Sequence, residues 1–288
     1  MRHRWTHAFS ILLSALLVAG TLAGCDSMDG GGGEGALRSI SYALTAQSND
    51  SAAPEGVNAV ATFWELGPDR TLVTLELNSA MPDGVVGLVA HIHANSASEG
   101  GGIQFFLSPI DVVGGGGTSA KLINRSYNEL VELDGHINVY EGSANALVAQ
   151  GDIGANADGE RGAGLDRVAE GATVTYDLAA HPNEGSLAEG VAGVARFIEL
   201  TPTQTLVQLQ LDDGPTGALL THPAHIHTNS ASEGGDIAIY LSPIDGNGNP
   251  ANDGAASKIV DRPYDELTAF DGHINIHQSY NSIQYVIA

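Results

Sequence analysis

Most of this chain is written twice, and that duplication constrains its fold more tightly than any single motif does. With a shift of 134 residues, "SYALTA" at 41–46 meets "TYDLAA", Gly56 meets Gly190, "TFWEL" meets "RFIEL", and "TLVTLELN" meets "TLVQLQLD". "AHIHANSASEGG" at 90–101 returns as "AHIHTNSASEGG" at 224–235, and "FFLSPID" returns as "IYLSPID". A three-residue insertion in the turn "DGNGNPANDG" raises the shift to 137, after which "YNELVELDGHINVY" aligns with "YDELTAFDGHINIH". A unit of this length is a small domain, too long for a solenoid repeat. Copy one is expected at 37–155 and copy two at 171–288. They are joined by 156–170, where glycines and charges offer no buried face. Copy one closes on "ALVAQGDIG", whereas copy two reaches Ala288 inside the matching strand, so its last strand is expected to be truncated.

Within each copy the hydrophobic period is two. In "TLVTLELN", Val73, Leu75 and Leu77 share one face while Thr74, Glu76 and Asn78 share the other, and Ile237, Ile239 and Leu241 repeat the pattern. Helical spacing is brief, around "YNELVEL". Short alternating strands punctuated by Gly, Pro, Asp and Asn predict an all-β fold. Two tandem antiparallel, Greek-key-like β-sandwiches, each of roughly seven to nine strands, fit the pattern.

The first 24 residues read as an address. Arg2 and Arg4 precede the short apolar run "AFSILLSALLVAG", and Leu22-Ala23-Gly24-Cys25 has the form of a bacterial lipobox. Cys25 is then the lipidated mature N-terminus, followed by a glycine-rich tether over 25–36. This predicts an exported protein anchored to the cell envelope, with the membrane as its partner through the lipid and an envelope or extracellular protein as a further one. Cys25 is the only cysteine, which excludes a disulfide, a cysteine-ligated zinc site and a thiol nucleophile in the mature body. Without residues 1–24 nine cations face 34 acids, a net charge of −25, and Lys121 and Lys258 are the only lysines. Such a field repels nucleic acid and favours solubility.

The chemistry-bearing phrase is His-x-His. On a strand, His91 and His93 leave the same face, with Ile92 turned the other way beside Leu88 and Ala90, so the imidazoles are expected on the outer or rim face. Two nitrogens do not make a metal site, since zinc and copper take three or four donors. The late phrase "DGHINIH" supplies more, placing His273, Asn275 and His277 on one face. In copy one the same places are His136, Asn138 and Tyr140. If the two strands are neighbours, copy two assembles His225, His227 and His277, with His273 as a further donor. Copy one offers the weaker set His91, His93 and His136. The donor set suits copper or zinc. The competing role is structural, with the histidines hydrogen-bonding backbone carbonyls and fixing the loop "NSASEGG". Glu99 and Glu233 in that loop are candidate ligands for a hard cation.

Other signals are thin. Gly114 to Gly117 lack the Lys-Ser/Thr and helix of a phosphate loop, no serine-nucleophile signature is present, and the "SPID" aspartates Asp111 and Asp245 read as strand exits able to support a neighbouring histidine.

The "AHIH" phrase with its glycine-rich loop and aliphatic strand, the late "HINIH" strand and the Gly-Asp-Ile close together resemble the CHRD domain family, over nearly all of 38–288 as two copies. Copy one departs at Tyr140, where the family has a second late histidine, and copy two lacks the closing segment. The resemblance implies a β-sandwich of immunoglobulin-like or superoxide-dismutase-like character. Three functions are compatible with these residues: a binding or scaffold module that holds copper or zinc in copy two, a superoxide-dismutase-like redox metalloenzyme, and a structural surface spacer. Against the enzyme stand the missing long zinc loop, disulfide and guiding arginine, and a −25 body that repels superoxide.

Overall fold

The alternating segments form antiparallel strands throughout. The structure is a computed structural model that describes residues 38–288 apart from 48–55, 79–80, 82–84, 86, 115, 142–145, 169–170, 182–189, 213–220 and 246–254. The leader, Cys25 and the glycine tether lie outside the described residues. Copy one contains β1 (Ser39–Ala46), β2 (Ala59–Gly67), β3 (Arg70–Leu77), β4 (Gly87–Ala94), β5 (Ile103–Phe106), β6 (Ile110–Asp111), β7 (Thr118–Ile123), the short helix α1 (Tyr127–Val131), β8 (Asp134–Glu141) and β9 (Ala146–Gly154). After β10 (Glu160–Gly162), copy two contains β11 (Thr173–Leu178), β12 (Gly193–Thr201), β13 (Gln204–Leu211), β14 (Thr221–His222), β15 (Ala224–Thr228), β16 (Ile237–Tyr240), β17 (Ile244–Asp245), β18 (Ala255–Val260), α2 (Tyr264–Thr268) and β19 (Gly272–Ile276).

In copy one β1 serves both layers. Its residues Ser39–Leu44 pair with β2, and Thr45 and Ala46 pair with β9. One layer is therefore β7-β3-β2-β1 and the other runs β9-β8-β4-β5. Their inner faces meet in a single apolar cluster that includes Tyr42, Phe63 and Leu75 from the first and Leu88, Ile92, Ile137 and Val148 from the second. Copy two repeats the plan with β11-β12-β13-β18 over β16-β15-β19, around Phe197, Leu209, Ile226, Ile276 and Ile287. The expected all-β, sandwich-like fold is observed. The brief helical spacing becomes α1, closed by a capping box between Ser126 and Glu129. At the chain's end Ile287 accepts the amides of His181 and Val191, as Val148 accepts those of Gln47 and Val57 in copy one, so the residues up to Ala288 occupy the start of the β9-equivalent position.

Two features bear on the join, whose glycines and charges were expected to offer no buried face. The segment 156–170 contains β10, which pairs with β1, while Leu165 packs against apolar residues of both copies and Arg167 donates to the Leu66 carbonyl. Its polar composition misled because backbone pairing needs no apolar side chain. Second, the copies share one sheet: Ala120 of β7 bridges Ser257 of β18, and both copies fall within one compact unit. The pairing is nearly self-complementary. Lys121 Nζ donates to the Ala255 carbonyl (2.9 Å), and its repeat equivalent Lys258 donates to the carbonyl of Thr118, the equivalent of Ala255 (2.8 Å). Beneath them Leu66, Leu72 and Ala120 meet Leu200 and Leu206 in a third apolar cluster. Equivalent residues making equivalent contacts is the geometry of a two-fold dimer interface, here within one chain. At about 2 kcal/mol per buried leucine against about 1 kcal/mol net per hydrogen bond, the apolar cluster holds the seam and the lysines set its register.

Burial pulls the Lys258 ammonium down to about 8, with Asp111 and Asp261 opposing the shift. Above that pH the folded protein has released a proton that the unfolded chain holds until about 10.4, so this lysine's contribution to stability rises with pH over that interval. In denaturant titrations between about pH 8 and about pH 9.5, Lys258→Met is expected to remove a slope of about 1 kcal/mol per pH unit present in the parent protein.

Candidate metal centre

The His-x-His strand and the late histidine strand are direct neighbours in both copies. β4 pairs with β8, placing His93 opposite His136 and His91 opposite Asn138. β15 pairs with β19 in the same register, His227 opposite His273 and His225 opposite Asn275. Ile92 and Ile226 enter the apolar clusters, so the imidazoles leave the opposite face, as alternation requires. That face is not the open rim expected from the sequence. His91, His93 and His225 are buried, with the Phe106 ring packed edge-on to His91 at 4.8 Å and the equivalent Tyr240 ring on His225 at 5.0 Å. An aromatic residue on the adjacent strand covers the pair, and its contribution was hidden in the "FFLSPID" and "IYLSPID" segments.

Part of the histidine set holds the loop. His93 Nδ1–H donates to the Gly101 carbonyl (2.9 Å) and His136 Nδ1–H to the Asn95 carbonyl (2.8 Å), so the two ends of "NSASEGG" are pinned from below. His227 and His273 do the same to Gly235 (3.0 Å) and Asn229 (2.8 Å). Asn95 and Asn229 take a left-handed φ of 63°, and a Cβ on Gly101 would lie 2.2 Å from the Ala94 carbonyl oxygen. The phrase therefore needs glycine where the chain passes so close. Glu99 and Glu233 bond the hydroxyl and amide of Ser96 and Ser230 within their own loops, where they serve as caps and point to no shared cation.

The loop role does not account for the rest of copy two. One nitrogen from each of His225, His227 and His277 lies within 4.8 Å of the others, the group of three such donors among the described residues. His227 commits Nδ1–H to Gly235, which leaves a lone pair on Nε2, and that atom is buried with no hydrogen-bond partner. His225 Nδ1 and both ring nitrogens of His277 are likewise buried without a normally shaped hydrogen bond. Leaving such groups unsatisfied costs about 1–3 kcal/mol each, which metal coordination would offset. Tetrahedral zinc places its nitrogen ligands about 3.4 Å apart at a Zn–N distance of about 2.1 Å, so a small inward rotation of the three rings closes the site. A histidine donating its other nitrogen to a backbone carbonyl, as His227 does, is the usual support for a metal ligand.

Against the expected sets, His273 is outside the group. Its ring stacks on His227 at 5.2 Å and its Nδ1 is committed to the loop. In copy one His136 is stacked on His93 at 5.1 Å and bonded to Asn95, and among the described residues the expected set His91, His93 and His136 does not form a converging group of the kind seen in copy two. The place of His277 is filled by Tyr140, whose hydroxyl accepts from Asn138 Nδ2 (2.8 Å). Sequence reasoning missed His222. It is fully buried, its Nδ1–H donates to the His277 carbonyl (3.1 Å), and its Nε2 has no partner. The signal was available in the repeat itself, since the equivalent residue in copy one is Leu88.

Burial pushes the His225 imidazole down to about 3, with His277 and His227 adding to the shift, and pushes His91 down to about 4, with His93 adding to it. Burial also lowers His277, partly opposed by the Ile283 backbone, and lowers His222 against the backbone of His277 and Gln278. These rings are neutral at physiological pH, the form that coordinates metal without releasing a proton.

Comparison of the chain with protein-family models, with curated proteins and with solved structures finds no match. Function must therefore be argued from the chemistry of the site.

The depressed histidines predict an acid-sensitive fold. His91 and His225 stay neutral in the folded protein down to about 4 and about 3, whereas the unfolded chain takes up those protons near pH 6.5. Their stabilisation is complete above pH 6.5 and is lost as the pH falls through the interval below it. Comparing denaturant midpoints at about pH 7 and about pH 5, His91→Leu is expected to lose less stability on acidification than the parent chain, by about one proton's worth of linkage.

Proposed function

We propose that this chain is a metal-binding module of the cell envelope, carrying one zinc or copper ion in copy two on His225, His227 and His277. The observation that carries the reading is the convergence of three imidazoles, His225 and His277 buried and His227 half-buried, each with a buried ring nitrogen that makes no hydrogen bond. Borderline N-donor sites of this kind suit Zn²⁺ and Cu²⁺ better than the hard cations that oxygen ligands select. The surrounding body, with 34 acids against 11 cations over the full chain, raises the local concentration of any divalent cation. In this reading the CHRD-like pair of sandwiches is held at a membrane by lipid on Cys25, and copy one is the scaffold half. A spacer function is the second reading, favoured by the four Nδ1 bonds that tie His93, His136, His227 and His273 to their loops.

The repeat supplies the test. Purified full-length protein is expected to take up about one equivalent of Zn²⁺ per chain in equilibrium dialysis, as a single three-histidine site requires. His277→Tyr, which copies the residue of copy one, should abolish uptake. Tyr140→His, which copies copy two, should raise it to about two equivalents, because His91 and His93 already stand in the register of His225 and His227. Uptake unchanged by either substitution would leave the spacer reading in place.

A further inference from the structure

Copy two departs from copy one at three places that meet in space. Leu88 is replaced by His222, Val89 by Pro223 and Tyr140 by His277. In copy one Val89 sits opposite Tyr140 in the β4–β8 ladder with a backbone N–H to donate. In copy two His277 still donates its amide to the Pro223 carbonyl (2.8 Å), but proline has no N–H with which to return the bond. The His277 carbonyl instead accepts from the side chain of His222, at 3.1 Å. His222 is fully buried, and the strand breaks here into β14 and β15 with Pro223 between them.

Resting on the proposed metal site, we propose that His222 is a positioning residue for that site: its Nδ1–H substitutes for the ladder bond deleted by Pro223 and fixes the backbone of the third ligand, His277. The pair acts as a unit. Pro223 frees the strand end that carries His277 from the regular ladder, and His222 then holds it through one directed hydrogen bond. His222 reaches the ion only through His277, so its influence falls on the orientation of that ring. Copy one, which has neither the proline nor the histidine, keeps a continuous β4 and a tyrosine that hydrogen-bonds within its own strand.

The experiment uses full-length protein and competition with a chromophoric chelator for Zn²⁺, together with the visible spectrum of the Co²⁺-substituted form. His222→Leu is expected to weaken Zn²⁺ binding by about 10–100-fold, the usual effect of removing an outer-shell partner of a metal ligand, and to alter the Co²⁺ bands. Adding Pro223→Val to that variant restores a backbone donor for the His277 carbonyl and is expected to recover most of the affinity. Loss of side-chain volume alone would not be rescued in this way. Affinity unchanged in His222→Leu, or lost without recovery in the double variant, overturns the positioning role while leaving the metal site intact. If the parent protein takes up no metal, both readings fail together.

Discussion

The pairing of the His-x-His strand with the late histidine strand is the constraint on which the rest of the molecule depends. An antiparallel ladder sends alternate residues to opposite faces and sets facing residues side by side. With Ile92 opposite Ile137, and Ile226 opposite Ile274, one face of this ladder is aliphatic and closes the sandwich. The imidazoles then have no choice of side. Two of them in each copy find carbonyls in the loop that the ladder itself brings overhead, which makes that loop a consequence of the pairing. The remaining donors are desolvated by the aromatic residue of the next strand and by one another. A slip of one residue in the His-x-His strand would put its two imidazoles into the oily layer and its isoleucine outside.

The duplication makes the chain its own control. Both copies keep the ladder, the pinned loop and the covering aromatic ring, so these features are explained by folding alone. Copy two differs where the third imidazole enters, and it differs there in a coupled way. A proline takes away a backbone donor, a buried histidine replaces it, and the strand end between them carries His277. A leucine-to-histidine exchange in a core is expensive when one ring nitrogen stays without a partner, as Nε2 of His222 does. A requirement local to His277 accounts for that cost better than packing, since Leu88 fills the same place in copy one without any polar atom to satisfy.

Much of this was legible before any coordinates. Period-two alternation gave the strands and the twin phrases gave the repeat, whereas the pairing of the two histidine strands stood only as a condition that the ladders then met. The proposed trio could be read from the difference between "HINVY" and "HINIH". Three things were hidden. The cover over the imidazoles comes from Phe106 and Tyr240, which sit on short strands whose partner cannot be inferred from local pattern. The commitment of His136 and His273 to the loop depends on a carbonyl roughly forty residues away, and backbone acceptors leave no trace in a sequence. The seam between the copies was masked because Trp64, Leu66 and Leu72, with their equivalents Ile198, Leu200 and Leu206, lie on the face that alternation assigns to solvent. Large apolar residues repeated on a polar face in both copies were the available clue, and they mark an interface more often than an error in the period.

In the proposed metal site, surface charge and donor chemistry divide the work of selecting a cation. The carboxylates on the surface attract divalent ions without discrimination, and with oxygen donors they favour the hard ones abundant outside a cell. The proposed trio offers nitrogen alone, a donor set that favours borderline ions over hard ones. A site built the other way, with carboxylates in the cavity, would gain affinity from its own charge but lose that distinction. Because the two copies share a sheet, the strands that carry the proposed trio belong to the same compact unit as the seam.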